Sequence, residues 1–257
     1  MIEIADDAAL AALIARQKPI ERHRFTGLSW ADLSCAGLRF ADCVFEDAAF
    51  TNTDFEEATF TRCRFTRCRF RNTVLKEATL ERCGFADDAQ PPAGCTFSQA
   101  DLTNARLSFC DLSFCRFERA TLFSLEAEDC KFLGADFTQV DISHSYGRKT
   151  LVHRLALRRC NLELATLSEL TLRSAEMTDC RFREADLQGS DLTDANLRDS
   201  DFFQALTADA LLDGADLRGA EISGLNLMAL RSFNGLRISQ SQAPLLLENS
   251  GVDVQPD

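Results

Sequence analysis

The sequence predicts an all-β protein, a right-handed quadrilateral β-helix with short terminal helices, and three observations carry that expectation. Every fifth residue from Phe25 to Phe85 is apolar, in the order Phe, Trp, Cys, seven Phe, two Leu and Phe. A second column, mostly small residues such as Ala48, Cys63, Cys83, Ala100, Cys110, Ala135, Cys160, Ala185 and Ala215, lies two places before the first. Across about 80 positions the two columns hold no Asp, Glu, Lys or Arg, where a 26% charged composition would scatter about 21.

A period of five fits neither the 3.6 of a helix nor the 2 of a strand. It describes a chain that turns one corner per repeat, so that four repeats close a square coil of about 20 residues. Stacked coils share backbone hydrogen bonds at ~4.8 Å, and about 40 repeats give a rod of ~10 coils and ~48 Å. The first phase ends at Phe85; a second runs from Phe97 to Ile142 and resumes in step from Leu162 to Leu227, with Ala127, Gly147 and Thr207 as misfits. Near the start, Ala31-Asp32-Leu33 and Ala36-Gly37-Leu38 offer a competing phase, which leaves the first coil's register open.

Three stretches depart from the repeat. Residues 1–24 read as a helical cap, with Asp6 or Asp7 capping a helix that turns Leu10, Leu13 and Ile14 onto the first coil. The β-helix is expected over 25–238, interrupted near 86–94 and 143–159. The first interruption, with Asp87, Asp88, Gln90, Pro91 and Pro92, is a projecting loop, either a tolerated insertion or a contact surface. The second carries Arg148, Lys149, His153, Arg154, Arg158 and Arg159 with no acid from Ile142 to Leu162, and reads as a solvated loop or a basic contact loop. Residues 239–257 form a carboxy-terminal helix and tail. Leu245, Leu246 and Leu247 cannot all face one stripe, so some are expected to pack on the last coil while others, with Val252 and Val254, meet a second subunit in a twofold dimer interface, the alternative being a monomeric cap.

Composition narrows the function. A net charge of -12 argues against direct nucleic-acid binding and favours a basic partner. Residues 163–221 hold fourteen Asp and Glu against five Arg, net -9, or about one charge per 1.6 Å of axis, near the one per ~1.7 Å of duplex DNA. Asp186, Asp191, Asp201, Asp216 and Glu221 sit between the inward columns and are expected to point outward, free of core desolvation. Either they form an acidic recognition surface or they merely solubilise the rod and favour its turns. Eleven scattered cysteines without a signal sequence fit a reducing, cytoplasmic setting, and their place in the inward columns makes them packing residues. No apolar run reaches membrane-spanning length. No catalytic constellation, cofactor motif or metal-ligand set is expected. Arg62, Arg64, Arg67, Arg69 and Arg71 are expected to wrap the rod, and Phe109, Phe114, Phe123 and Phe203 fall at outward positions.

Ala185-Asp186-Leu187, Ala195-Asn196-Leu197 and Ala215-Asp216-Leu217 resemble the A(D/N)LxX signature of the pentapeptide-repeat family. The stretch CGFADDAQPPAGCTFSQADLTNARLSFCDLSFCRF from Cys83 and the tail GLRISQSQAPLLLENSGVDV from Gly235 resemble its Qnr branch, with about two extra coils before the first loop. That resemblance implies a non-catalytic DNA mimic that binds DNA gyrase or topoisomerase IV, protects it from quinolones or natural poisons, and dimerises through carboxy-terminal ends. The competing expectation is an interaction scaffold for an unrelated protein partner.

Overall fold

The computed structural model describes residues 1–4, 6–87, 90–146 and 150–255. They form a right-handed parallel β-solenoid with four sides. One run of parallel bridges climbs the first side through Arg24, Val44, Arg64, Gly84, Asp111, Lys131, Asn161, Arg181, Asp201 and Glu221. Each rung places the following residue inward, so Phe25, Phe45, Phe65 and Phe85 stack with ring centroids 5.0, 4.6 and 4.6 Å apart. The second side repeats this with Phe50, Phe70, Phe97 and Phe117 at 4.6, 4.5 and 5.0 Å. The third passes through Cys35, Phe55 and Leu75, the fourth through Phe40, Phe60 and Leu80, all buried.

The competing phase near the start is resolved by the same geometry. Trp30, Cys35 and Phe40 occupy the large inward column, while Leu38 is buried and Leu33 half-buried two places earlier. Leucine at 33 beside cysteine at 35 exchanges large for small between the columns and conserves volume, which cores tolerate best.

Corners follow from backbone conformation. The residue two after each core side chain is left-handed, with φ of 52° at Asp42, 51° at Arg62, 53° at Asn52 and 67° at Gly37. Asn, Asp and Gly reach this region at least cost, which accounts for their frequency at that place. The carbonyls turned inward at corners find donors in the small column: Cys63, Cys83, Cys110 and Cys180 thiols reach Phe40, Phe60, Leu80 and Leu157 oxygens at 3.3–3.5 Å, and Thr53 reaches Trp30 O at 2.8 Å. All eleven cysteines are buried and free. Burial pushes the Cys35 thiol up to about 12 and raises Cys95 and Cys115 as well, so these sulfurs stay protonated donors.

Both ends are covered. Strand β1 (Ile2–Ile4) pairs with His23–Thr26 of the first coil, an addition too short to read from sequence. Helix α1 (Asp7–Ile14) is capped by Asp6, whose carboxylate accepts from Ala9 N at 2.7 Å, and buries Leu10 and Ile14. The ladder of the fourth side reaches back to Ile20, which pairs with Phe40. At the far end the register steps by one residue, Leu211 to Ser232 and Asp216 to Arg237, before helix α2 (Ala243–Asn249). Gln242 is buried ahead of α2 and its Nε2 donates to Leu217 O and Ala220 O at 2.8 and 2.7 Å, closing carbonyls that no further coil could satisfy.

Candidate partner-binding surfaces

The two interruptions leave the rod at diagonally opposite corners. The first lies between Phe85 and Phe97, where the first side passes to the second; the second follows Ile142 on the third side and returns to Leu157 on the fourth. Ladder steps of 27 residues at Gly84–Asp111 and 30 at Lys131–Asn161, against 20 along the rest of this side, measure the insertions as seven and ten. Ten residues equal two repeats, so the phase passes undisturbed and hides the loop's true end.

The first loop is a hairpin, Ala86–Asp87 against Ala93–Gly94. Gln90, Pro91 and Pro92 are exposed, and the Gln90–Pro91 peptide is cis. Asp87 is not free: it accepts from Arg67 at 3.2 Å, and Arg67 also grips Asp47 at 2.7 Å. Asp88 lies outside the described residues. Pro92, Ala93 and Gly94 of the loop line one depression with the outward Phe114, whose ring lies on Gly134, where an added Cβ would be 2.9 Å from the ring.

The second loop is also a hairpin, Ser143–Tyr146 against Thr150–His153, shorter than the expected 143–159. Leu155–Arg158 already belongs to the fourth side. Much of the expected basic island is therefore neutralised on the rod: Arg158 pairs with Glu176 at 2.7 Å, and Arg159 with Asp129 at 2.9 Å and with Glu128. Arg154 is exposed at the hairpin's foot, His153 is half-buried opposite Ser143, and Arg148 and Lys149 lie outside the described residues. Tyr146 and Leu151 are the exposed apolar groups of this hairpin. His144 covers Phe123 at 5.1 Å, which explains how that outward aromatic comes to be buried. Phe109 and Phe203 remain exposed under the guanidinium groups of Arg82 and Arg183 at 5.1 and 5.6 Å.

The expected acidic surface is corrected by the structure. Residues five apart lie on adjacent sides, so only Asp201 and Glu221 share a side; Asp186, Asp191 and Asp216 occupy the other three. Nor are these groups free of desolvation, since Asp216 is only 5% exposed. Each bends back to accept the N–H two residues on, as Asp186 does from Gln188 at 3.0 Å and Glu221 from Ser223 at 2.8 Å. Asp191, Asp201 and Asp216 also pair with Arg173, Arg183 and Arg218 at 3.0, 2.5 and 2.6 Å. The Arg218 guanidinium holds Asp216 down to about 2. These carboxylates brace turns.

The solvated acids of this region stand elsewhere, at the left-handed corner positions: Glu169, Asp179, Glu184, Asp194, Asp199 and Asp209, all exposed with φ of 54–60°. The signal for them was the last place of each repeat, where a positive φ admits Asp and Asn. Replacing these six by Gln or Asn is expected to change the melting temperature by less than about 2 °C. Replacing Asp191, Asp201 and Asp216 instead is expected to lower stability by about 1–3 kcal/mol through lost turn bonds and stranded arginines, read by thermal melting.

At the carboxy-terminal end Leu246 is buried against its own last coil and Leu245 and Val254 are half-buried. The outward groups are Met228, Phe233, Leu247 and Val252, at 77%, 40%, 45% and 47% exposure.

A four-sided solenoid whose coils repeat every 20 residues and whose inside is filled by two periodic columns defines a class of protein. The pentapeptide repeats family matches in eight copies over residues 43–82, 93–122, 160–199 and 195–229, and the chain belongs to that family. Among solved structures it is similar to full-length QnrB1, described as a plasmid-mediated fluoroquinolone resistance protein, at 22% identity and a TM-score of 0.68, over 91% of this chain and 99% of that one. A trypsin-treated variant of QnrB1 is similar at 23% identity and a TM-score of 0.65, over 92% of this chain and 100% of that one. No curated protein sequence matches the chain.

Proposed function

We propose that this chain is a non-catalytic ligand of DNA gyrase or topoisomerase IV that protects the enzyme from quinolones or natural poisons. What supports this most directly is the pair of hairpins on opposite corners of an otherwise uninterrupted rod, on a backbone that follows a fluoroquinolone resistance protein over nearly its whole length. Rod sides are rigid and repetitive; the hairpins are where a partner finds groups outside the pattern, Pro91 and Pro92 on one and Tyr146, Leu151 and Arg154 on the other. The mimicry rests on the corner acids, which encircle the rod on all sides, as phosphates surround a duplex, and present net -9 over residues 163–221 to a basic groove. Met228, Phe233, Leu247 and Val252 join two copies end to end and make the acidic stretches continuous.

Insertion lengths prescribe the test. Deleting residues 87–93 brings Phe85 and Phe97 to the regular spacing of five, and deleting 144–153 does the same for Ile142 and Leu157. Both variants should stay folded and melt in one cooperative transition, since the ladders close across the deleted residues. In a gyrase supercoiling assay with a quinolone, the intact chain should restore supercoiling at micromolar concentration, and the double deletion should need at least about tenfold more. Equal protection by both would take recognition away from the hairpins. No protection or inhibition by the intact chain would favour a scaffold with a different protein partner.

A further inference from the structure

The second side carries a cluster of positive charge that neither hairpin nor the acidic coils account for. Arg69 and Arg71 flank the inward Phe70, Thr96 and Ser98 flank Phe97, and Arg116 and Glu118 flank Phe117. Arg69, Thr96 and Arg116 are consecutive rungs of one ladder. Two rungs span ~10 Å and two residues along a strand ~7 Å, so Arg69, Arg71 and Arg119 stand round one compact patch, with Arg116 just outside it. Arg119 closes one corner, its Nε donating to Gln139 Oε1 at 2.8 Å. Within lies a depression of about 350 Å3 lined by Arg69, Arg71, Thr96, Ser98, Gln99, Glu118 and Arg119.

Arginines on adjoining surfaces are matched by carboxylates: Arg62 by Asp42 at 2.7 Å, Arg67 by Asp47 and Asp87 at 2.7 and 3.2 Å, and Arg106 by Glu126 at 3.8 Å. Arg69, Arg71 and Arg116 are exposed and, among the described residues, have no ion-paired carboxylate. Glu118 is the one acid on the rim, and Asp136 is the next rung beyond Arg116. In a chain of net charge -12, a local excess of arginine over carboxylate is a place suited to an anion.

We propose that this depression binds a compact phosphate oxyanion of pyrophosphate size, free or as the phosphates of a nucleotide. Planar guanidinium forks each offer paired N–H donors, and the Thr96 and Ser98 hydroxyls supply donors from the floor between them. Donors on three sides suit tetrahedral oxyanions, whereas a planar carboxylate is served by one fork. An extended nucleic-acid backbone fits less well, because the cluster covers only ~10 Å of axis before the ladder turns acidic at Asp136.

This site is independent of the topoisomerase reading, and its test uses the full chain without that enzyme. Isothermal titration at low salt with inorganic pyrophosphate should give saturable one-to-one binding, weakened at least tenfold in the Arg69→Gln/Arg71→Gln variant and unchanged in an Arg181→Gln/Arg198→Gln control, with melting curves showing all three folded. ADP binding as tightly as pyrophosphate would place the phosphates on a nucleotide; ADP binding much more weakly would leave the free oxyanion. Either outcome supports the site. Equal affinity of parent and the Arg69/Arg71 variant, citrate binding as tightly as pyrophosphate, a single-stranded oligonucleotide that pyrophosphate fails to displace, or no saturation by about 10 mM would overturn it.

Discussion

Phe65→Ala is expected to lower stability by about 3–5 kcal/mol and the melting temperature by roughly 6–20 °C. Phe65 is 1% exposed and lies between Phe45 and Phe85 with centroids 4.6 Å away on both faces. Its edges meet Phe60 and Phe70 at 5.6 Å each and Phe50 at 6.2 Å. Neighbouring coils are held by continuous ladders on every side, so they cannot settle into the space, and the cavity penalty adds to the lost burial. A solenoid has only neighbour contacts to transmit folding along its axis. A weakened third coil should therefore uncouple the ends, and calorimetry of the variant is expected to show a broadened or split transition. A loss below about 1 kcal/mol with a single sharp transition would mean that the ladders, and not the aromatic stack, hold the rod together.

This stack is also what made the fold legible. Phenylalanine at 45, 50, 55, 60, 65 and 70 without a polar residue among them admits one geometry, and the structure follows it residue for residue. Ambiguity at 31–38 arose because both columns face inward; leucines at 33 and 38 fill the smaller one and imitate the larger. The second hairpin's boundary was hidden because its length is a whole number of repeats, so Arg158 and Arg159 counted as loop although they sit on the fourth side paired with acids. Periodicity also says which way a side chain leaves the backbone without saying what it then meets. Asp216 departs outward and folds back onto its own turn and Arg218, while Asp194 and Asp199 at the corners stay exposed. Positions on the four sides required counting in coils: residues twenty apart share a surface, which separates Asp186 from Asp191 and gathers Arg69 with Arg116 across the inserted loop.

Gly94→Ala is expected to detach the first hairpin, lower the melting temperature by about 4–12 °C, and reduce protection in the gyrase assay to the level of the 87–93 deletion. A Cβ at Gly94 would stand 2.4 Å from Cys115 N, 2.5 Å from Phe114 C and 2.6 Å from Ser113 O, all backbone atoms of the next coil. None can rotate aside. The chain just beyond is fixed, since Cys95 N donates to Phe85 O at 3.0 Å and Thr96 N to Cys68 O at 3.2 Å. The segment able to yield is the hairpin itself, held by its pairing of Ala86 with Gly94 and by the Asp87–Arg67 ion pair, whose arginine is open to solvent. Lifting it carries Pro91 and Pro92 away from the corner they occupy. Gly84 supplies the control, because a Cβ there meets nothing within 4 Å and Gly84→Ala should leave both melting and protection unchanged. If Gly94→Ala behaves like Gly84→Ala, the close approach of hairpin to coil does not position the loop; if it melts early yet protects fully, the hairpin is structural and recognition belongs to the second loop.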